Sequence, residues 1–471
     1  MYQPSLKKSF AYKSVLTLSN YLINFITFPY VARMLGVERI GLVNFVDNTV
    51  NYFLLFATMG VGLLGVREIA AVKDNPEECS KVYSSVLLMN LMFTFASLML
   101  YLVCVSSFFQ LRQYDELFYI GTVKILFSVF LVEWFFTGIE SFKYITLRSV
   151  LIKVMYIACV FAFVRDTTDY RIYFSFTVGV VVVNALINQC YIQKFVRIRW
   201  RDIRLIKYIR QNIILGVYAL MTSMYLTFNV MYLGLVSNNT EVGYYTTAFK
   251  LYTVVLGLFT AFTNVMLPRM SSLLANGEKD HFQELVSRSF SMMATFSIPL
   301  ILCSMILAPQ IIYILSGPGY EGAILPMRII MPAAFAVGIA QVLAIQVLMP
   351  MKKDKLLLVA SVIGAVVSLL INLLLVPHVG SVGSAMVLLC SEVVVTGTYV
   401  VYMLSHRLIV IPHLSIWKGL LYSLPCVIIC CGCGRWIKNE FVGVFSAVIL
   451  IILYYSIFCN YICFNKKSYE S

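Results

Sequence analysis

Charged residues are scarce in this chain. Only 12% of its 471 residues are Asp, Glu, Lys or Arg, whereas 60% are hydrophobic and the mean hydropathy is +0.86. Soluble globular chains carry about 25% charged residues. The composition therefore excludes a soluble enzyme, a soluble nucleic-acid-binding protein and a disordered scaffold, and it predicts a polytopic membrane protein.

Motifs of enzyme chemistry are absent as well. The sequence contains no HExxH or GxSxG motif and no glycine-rich phosphate-binding loop, and its four histidines stand in or near predicted loops. Of the 12 cysteines, the densest group lies in the apolar run LPCVIICCGCG, without a histidine or carboxylate beside it. Buried cysteines of this kind are typically small packing residues. We expect a protein that is not an enzyme, with no catalytic residue, no metal site and no cofactor.

Long apolar runs dominate the chain. A helix that crosses the hydrocarbon core needs about 20 mostly apolar residues. The connections between the runs are short, so none can hold a soluble catalytic domain. The pattern predicts an all-α fold of about 14 transmembrane helices, over residues 11–34, 40–64, 82–107, 117–137, 143–164, 170–193, 211–236, 243–267, 286–308, 324–349, 355–376, 382–404, 416–436 and 440–463.

The positive charge of the chain, +14 at neutral pH, lies mainly on one side of these spans. The two tails and the loops on their side hold more than three times as many Lys and Arg residues as the opposite loops. Cytoplasmic loops of membrane proteins carry this excess, so both termini are predicted to be cytoplasmic. The longest basic run, RIRWRDIRLIKYIR at residues 197–210, interleaves Trp and Ile with the cations. Such a linker favours anionic lipid headgroups over nucleic acid as its partner.

The two halves of the chain carry a faint repeat. A shift of 202 residues places Gly41 on Gly243 and Arg67 on Arg269, near the two ends of the second and eighth spans. Internal repeats around a central cavity are a common architecture of transporters. The repeat therefore predicts two related halves that enclose a cavity.

Polar side chains recur at helical spacing on several spans. Such stripes face protein or water, because a polar group that faces lipid is costly. An alternative is that these side chains only join helices through hydrogen bonds. The residues predicted to line the cavity are Asn20, Asn24, Asn44, Asn48, Asn51, Thr222 and Asn229.

Charged side chains inside the spans shift the balance toward a functional cavity, because each costs roughly 2.5–3.5 kcal/mol near a helix centre. The cations are Lys124, Lys153, Lys250 and Arg328, and the acids are Asp47, Glu133 and Glu392. Arg328 can instead snorkel to the membrane surface. Each acid is either a salt-bridge partner of a lysine or a site for a coupling proton or cation. Several cations in one cavity suit an anionic substrate such as phosphate, pyrophosphate or an acidic sugar.

The segment FPYVARMLGVERIGLVNF, residues 28–45, resembles the start of the lipid-linked oligosaccharide flippases (Wzx type) of bacterial surface-polysaccharide synthesis. These proteins belong to the multidrug/oligosaccharidyl-lipid/polysaccharide exporter superfamily. The matching residues include Pro29, Arg33, Gly36 and Gly41, and the run REIA at residues 67–70 also resembles the family. Ile40 replaces the aromatic residue that often precedes the glycine.

The resemblance implies a V-shaped pair of six-helix lobes, residues 1–200 and 211–404. A basic linker at 201–210 joins them, and two added helices with a cytoplasmic tail occupy 405–471. It implies translocation of undecaprenyl-pyrophosphate-linked oligosaccharide across the cell inner membrane by alternating access, with a proton or sodium gradient as a possible energy source. Arg33 would join the four cations in holding the substrate. Partners would be the lipid-linked glycan, membrane lipids and polysaccharide polymerase machinery, but not nucleic acid.

Two other functions stay open at this point. A multidrug or cation antiporter of the same superfamily would favour acids in its cavity, whereas here the cations outnumber the acids. A membrane-embedded glycan polymerase or transferase would also be polytopic and basic. Such an enzyme usually needs a sizeable loop with paired catalytic acids or histidines, and the longest loops here lack that pattern.

Overall fold

The protein is described by a computed structural model that covers residues 6–199, 203–224, 227–408, 413–437 and 439–469. All regular structure within these ranges is helical. The α-helices are α1 (Leu6–Thr58), α2 (Val61–Val72), α3 (Pro76–Ser107), α4 (Phe109–Arg112), α5 (Asp115–Ser128), α6 (Glu133–Gly138), α7 (Phe142–Phe163), α8 (Tyr170–Ile192), α9 (Leu205–Ser223), α10 (Phe228–Val236), α11 (Asn239–Ala275), α12 (Lys279–Ile306), α13 (Ala308–Ser316), α14 (Ile324–Gln341), α15 (Asp354–Ser405), α16 (His413–Trp436) and α17 (Glu440–Tyr469).

Eleven helices in the described residues are long and apolar enough to cross a membrane, or 12 if the bent pair α9 and α10 forms one span. The all-α polytopic membrane fold is thereby confirmed, whereas the count of 14 stays a prediction. Two of the long helices contain a glycine outside helical geometry: Gly36 in α1 (φ 73°, ψ 169°) and Gly380 in α15 (φ 53°, ψ −126°). Both glycines lie at predicted boundaries between consecutive spans, and glycine adopts positive φ at little cost.

The fourth predicted span is interrupted. A 3₁₀ turn over Val129–Leu131 follows α5, Val132 adopts a left-handed conformation (φ 38°), and α6 begins at Glu133. A β-branched residue in this region is strained, at a cost of about 1–3 kcal/mol. The Asn188 and Gln189 side chains on α8 donate hydrogen bonds to the carbonyls of Leu131 and Phe130. The neighbouring helix therefore satisfies the carbonyls that the break exposes, as the membrane interior requires.

By its internal contacts the chain divides into two compact units. The first comprises Met1–Thr246 and Gly364–Val387, and the second comprises Thr247–Ile363 and Leu388–Ser471. The core of the first unit includes an aromatic cluster in which Tyr83 stacks on Trp134. In the second unit Cys303, Cys426, Cys430 and Cys433 pack together in an apolar cluster, in the packing role that the sequence suggested, whereas Cys431 of the same run is exposed.

The basic segment after α8 lies along the start of α3. The backbone N–H groups of Arg199 and Arg204 donate to the hydroxyls of Ser84 and Ser85, and the Arg199 guanidinium pairs with Glu77 at 2.7 Å. Residues 200–202 of the run lie outside the described ranges. The segment is thus held by the first unit through both its backbone and its charge. Its predicted contact with lipid headgroups stays a prediction.

Candidate functional site

Lys124 on α5 forms a three-residue polar group with two side chains of α1. Its ammonium donates to Asp47 Oδ1 at 2.6 Å and to Asn51 Oδ1 at 2.8 Å, and Asn51 Nδ2 donates to Asp47 Oδ2 at 3.0 Å. Asp47 and Asn51 are one helical turn apart, so both face α5. Lys124 is only 8% exposed, and Asp47 is partly accessible. The structure thus pairs a predicted substrate cation with a predicted coupling acid.

Lys153 lies between α7 and α1. Its ammonium donates to Ser19 Oγ at 2.9 Å and also to Asn20 Oδ1. Both acceptors are neutral, so they satisfy hydrogen bonds of the cation without cancelling its charge. A cation held in this way keeps its attraction for an anion. The side chain of Asn24, one turn further along α1, lies outside the described part of the chain.

Arg148 is a buried cation that the sequence analysis did not single out. It is 7% exposed, pairs with Glu133 at the start of α6, and donates to Asn188 Oδ1 on α8. Asn188 in turn donates to the Leu131 carbonyl, so Arg148 supports the break between α5 and α6. Arg148 falls within the fifth predicted span, and this position was the available signal.

We expect Arg148→Leu to destabilise the first unit. The substitution removes the charged donor of the fully buried Asn188 Oδ1, which keeps the Tyr144 hydroxyl as a donor, and it leaves Glu133 without its cation. A hydrogen bond to a charged group contributes about 1.5–3 kcal/mol. The measurement is the midpoint of thermal unfolding of the purified protein in detergent. Arg288→Ala is the matched control, because Arg288 forms an exposed ion pair with Glu284 within one helix. An equal decrease of the midpoint in both variants would contradict the structural role of Arg148.

The repeat detected in the sequence has a direct physical counterpart within the first unit. Asn44 Nδ2 donates to Thr246 Oγ1 at 3.1 Å, and these two residues are 202 positions apart. The pair Gly41 and Gly243 stands three residues before Asn44 and Thr246. A Cβ on Gly41 would lie 1.7 Å from the Asn239 carbonyl oxygen and 2.8 Å from Gly243 N. Equivalent positions of the two halves therefore touch each other, and only glycine permits this approach of backbones.

The other predicted site residues of the first unit whose side chains are described make hydrogen bonds within one helix or between helices. Asn48 donates to the Asn44 carbonyl, the Thr222 hydroxyl donates to the Ala219 carbonyl, and the exposed Arg33 donates to the Pro29 carbonyl. Asn229 is fully buried and donates to Tyr245 Oη and to the Ser384 carbonyl. Of these hydrogen bonds, only those of Asn229 join one helix to others, as in the alternative in which polar side chains connect helices, whereas the other three lie within one helix.

In the second unit, Lys250 is half-buried on α11. Two residues further along, Tyr252 donates through its hydroxyl to the buried Glu392 on α15 at 3.5 Å. Arg328 is exposed on α14 and donates from Nε to the Met305 carbonyl at 3.1 Å. In this unit, therefore, Glu392 is held by a tyrosine and Arg328 by a backbone carbonyl.

Comparison with known proteins identifies the family. Residues 6–274, more than half of the chain, match the family model of the polysaccharide biosynthesis proteins. The chain belongs to this family. It is similar to the putative O-antigen transporter of Escherichia coli (strain K12), with 25% identity over 413 residues that span 86% of this chain and 98% of the relative.

Two solved structures have a similar fold. One is the lipid II flippase MurJ in an inward closed conformation, with a TM-score of 0.77, 16% identity, and coverage of 96% of this chain and all of that one. The other is a multidrug resistance MATE family transporter of the MOP superfamily in an inward-facing conformation. Its TM-score is 0.64 at 13% identity, over 82% of this chain and 94% of that one. The resemblance seen in residues 28–45 is confirmed. This member of the polysaccharide biosynthesis family is a transporter rather than an enzyme.

Proposed function

We propose that this transporter translocates undecaprenyl-pyrophosphate-linked oligosaccharide across the cell inner membrane, with both termini in the cytoplasm. The observation that carries the proposal is the pair of intramembrane lysines in the first unit, Lys124 and Lys153. A pyrophosphate linkage is negatively charged on both of its phosphates, and lysine ammonium groups bind phosphate oxygens well. The name of the similar Escherichia coli protein, a putative O-antigen transporter, supports a glycan cargo.

The two lysines suggest different roles in substrate binding. Lys153 rests on neutral oxygens and is available to a phosphate at little electrostatic cost. Lys124 is paired with Asp47, so a substrate phosphate would exchange for this carboxylate. Exchange of the partner, or protonation of Asp47, would couple cargo binding to a change at the contact between α1 and α5. A proton or sodium gradient would supply the energy at this step.

Alternating access is the proposed transport cycle. The contact between Gly41 and Gly243, with the Asn44–Thr246 hydrogen bond beside it, would close one end of a cavity between the two halves. The contact rests on glycine backbones and one hydrogen bond between neutral side chains, so its separation exposes no buried charge. In this cycle the contact breaks when the opposite end closes.

The proposal is tested with purified protein in liposomes that contain a fluorescent undecaprenyl-pyrophosphate-linked oligosaccharide. A membrane-impermeant quencher measures how fast the label crosses the bilayer. Transfer well above that of protein-free liposomes is the expected result. Transfer of a cationic dye in place of the lipid-linked glycan would instead support the antiporter of the same superfamily.

A further inference from the structure

An open apolar groove lies between α7 and α8 in the first unit. It encloses about 160 Å³, and its walls are almost entirely apolar. Helix α7 contributes Ile152, Met155 and Cys159, and helix α8 contributes Phe176, Gly179 and Val183. The two helices are consecutive candidate spans, so the groove lies at the depth of the hydrocarbon core.

Part of the open space in the groove exists because Gly179 has no side chain. Nothing lies within 4 Å of the position that a Cβ on Gly179 would occupy, so open space extends directly above the α8 backbone. Met155 and Val183 are 56% and 40% exposed at the rim. An apolar groove at this depth is filled by hydrocarbon, because water would find no hydrogen-bond partners on its walls.

A positive charge stands beside the groove. Lys153 follows Ile152 directly, and adjacent residues on a helix are 1.5 Å apart along the axis. Ile152 lines the groove, whereas Lys153 points toward Ser19 and Asn20 on α1. The same level of α7 therefore offers an apolar surface on one side and a cation on the other. A lipid that joins a phosphate to a long apolar chain matches this combination.

We propose that the α7–α8 groove binds a segment of the polyprenyl chain of the transported lipid, with its phosphate held near Lys153. This inference rests on the proposed function, because it identifies the chain as that of the cargo. The tail would remain at the outer surface of α7 and α8 while the polar part of the lipid occupies the cavity. The groove would thus recognise the carrier lipid independently of the glycan attached to it.

The test uses a polyprenyl phosphate with a photoreactive diazirine in its chain, added to the full-length protein in lipid nanodiscs. Peptide mapping after illumination is expected to place the label within residues 152–183. Gly179→Leu fills the groove without a clash, and labelling there should decrease about tenfold, which corresponds to lost burial of about two methylene groups. Gly397→Leu is the matched control, because Gly397 is another helical glycine with open space beside it, and labelling should be unchanged.

A second substitution and a second probe complete the test. Val183→Phe narrows the groove at its exposed rim and should reduce labelling in the same direction. Dioleoyl phosphatidic acid with the same diazirine has the phosphate but ordinary acyl chains. Equal labelling of the groove by this probe would overturn the inference, since the groove would then be a general lipid site.

Failure of the inference is distinguishable from failure of the proposed function. If the wild-type protein transfers the lipid-linked glycan but Gly179→Leu transfers it equally fast, the groove assignment is wrong and the function stands. If the wild-type protein transfers none of it in liposomes, the proposed function fails and the groove assignment fails with it. Slower transfer by Gly179→Leu with an unchanged Gly397→Leu rate supports both.

Discussion

Lys124→Ala is expected to abolish display of the surface polysaccharide while the protein remains in the membrane at its normal level. The substitution removes the cation proposed to bind the cargo phosphate, and a hydrogen bond to a charged group contributes about 1.5–3 kcal/mol. This range corresponds to roughly a 10- to 150-fold slower transfer. The measurement is the transfer rate in liposomes, combined with glycan staining of cells.

Substitution of Asp47, the partner of Lys124, distinguishes a substrate-binding role of Lys124 from a purely structural role. Lys124→Ala leaves the Asp47 carboxylate without its cation, whereas Lys124→Ala combined with Asp47→Ala removes both charges. If Lys124 and Asp47 served only to neutralise each other, the double variant would recover transfer. We expect recovered thermal stability without recovered transfer. Lys355→Ala, at an exposed lysine near the start of α15, is the control and should behave as the wild type.

The sequence was sufficient to predict the class of fold and the lysine of the candidate site, but not which acid pairs with it. An intramembrane lysine requires a partner or water, so the presence of Lys124 in an apolar run already indicated a polar neighbour. The choice of Asp47 among the three acids of the predicted spans was not predictable, because Lys124 and Asp47 are 77 positions apart and meet only through the packing of α1 on α5. Glycine at residues 36 and 380 marks two breaks that hydropathy had also suggested.

Other features required the three-dimensional structure. Arg148 lies within the fifth predicted span, but its burial against Asn188 and its ion pair with Glu133 depend on how α6, α7 and α8 pack together. The groove beside Gly179 depends on how α7 packs on α8, and helical spacing alone does not reveal an empty volume. The 202-residue repeat was visible in sequence, but equivalent positions of a repeat need not touch. That Asn44 reaches Thr246 depends on how closely the helices pack.

Gly41→Leu is expected to abolish transfer by preventing the proposed closure. Even the first carbon of a side chain at residue 41 would lie 1.7 Å from the Asn239 carbonyl oxygen, so α1 and the start of α11 must move apart. Overpacking of this kind costs about 1–3 kcal/mol when the surroundings relax. In a protein that alternates between two conformations, this cost falls only on the one that contains the contact. The variant should therefore accumulate in the membrane and favour the other conformation.

Cross-linking measures this shift directly. Cysteines introduced by Asn44→Cys and Thr246→Cys should be joined by a short thiol cross-linker in the wild-type background, because the native side chains are 3.1 Å apart. Each single cysteine variant gives the background from the native cysteines. Adding Gly41→Leu should remove most of the cross-linked product, whereas Gly62→Leu should leave both cross-linking and transfer unchanged, because a side chain there meets open space. Full cross-linking and normal transfer in the Gly41→Leu variant would show that this contact is not part of the transport cycle.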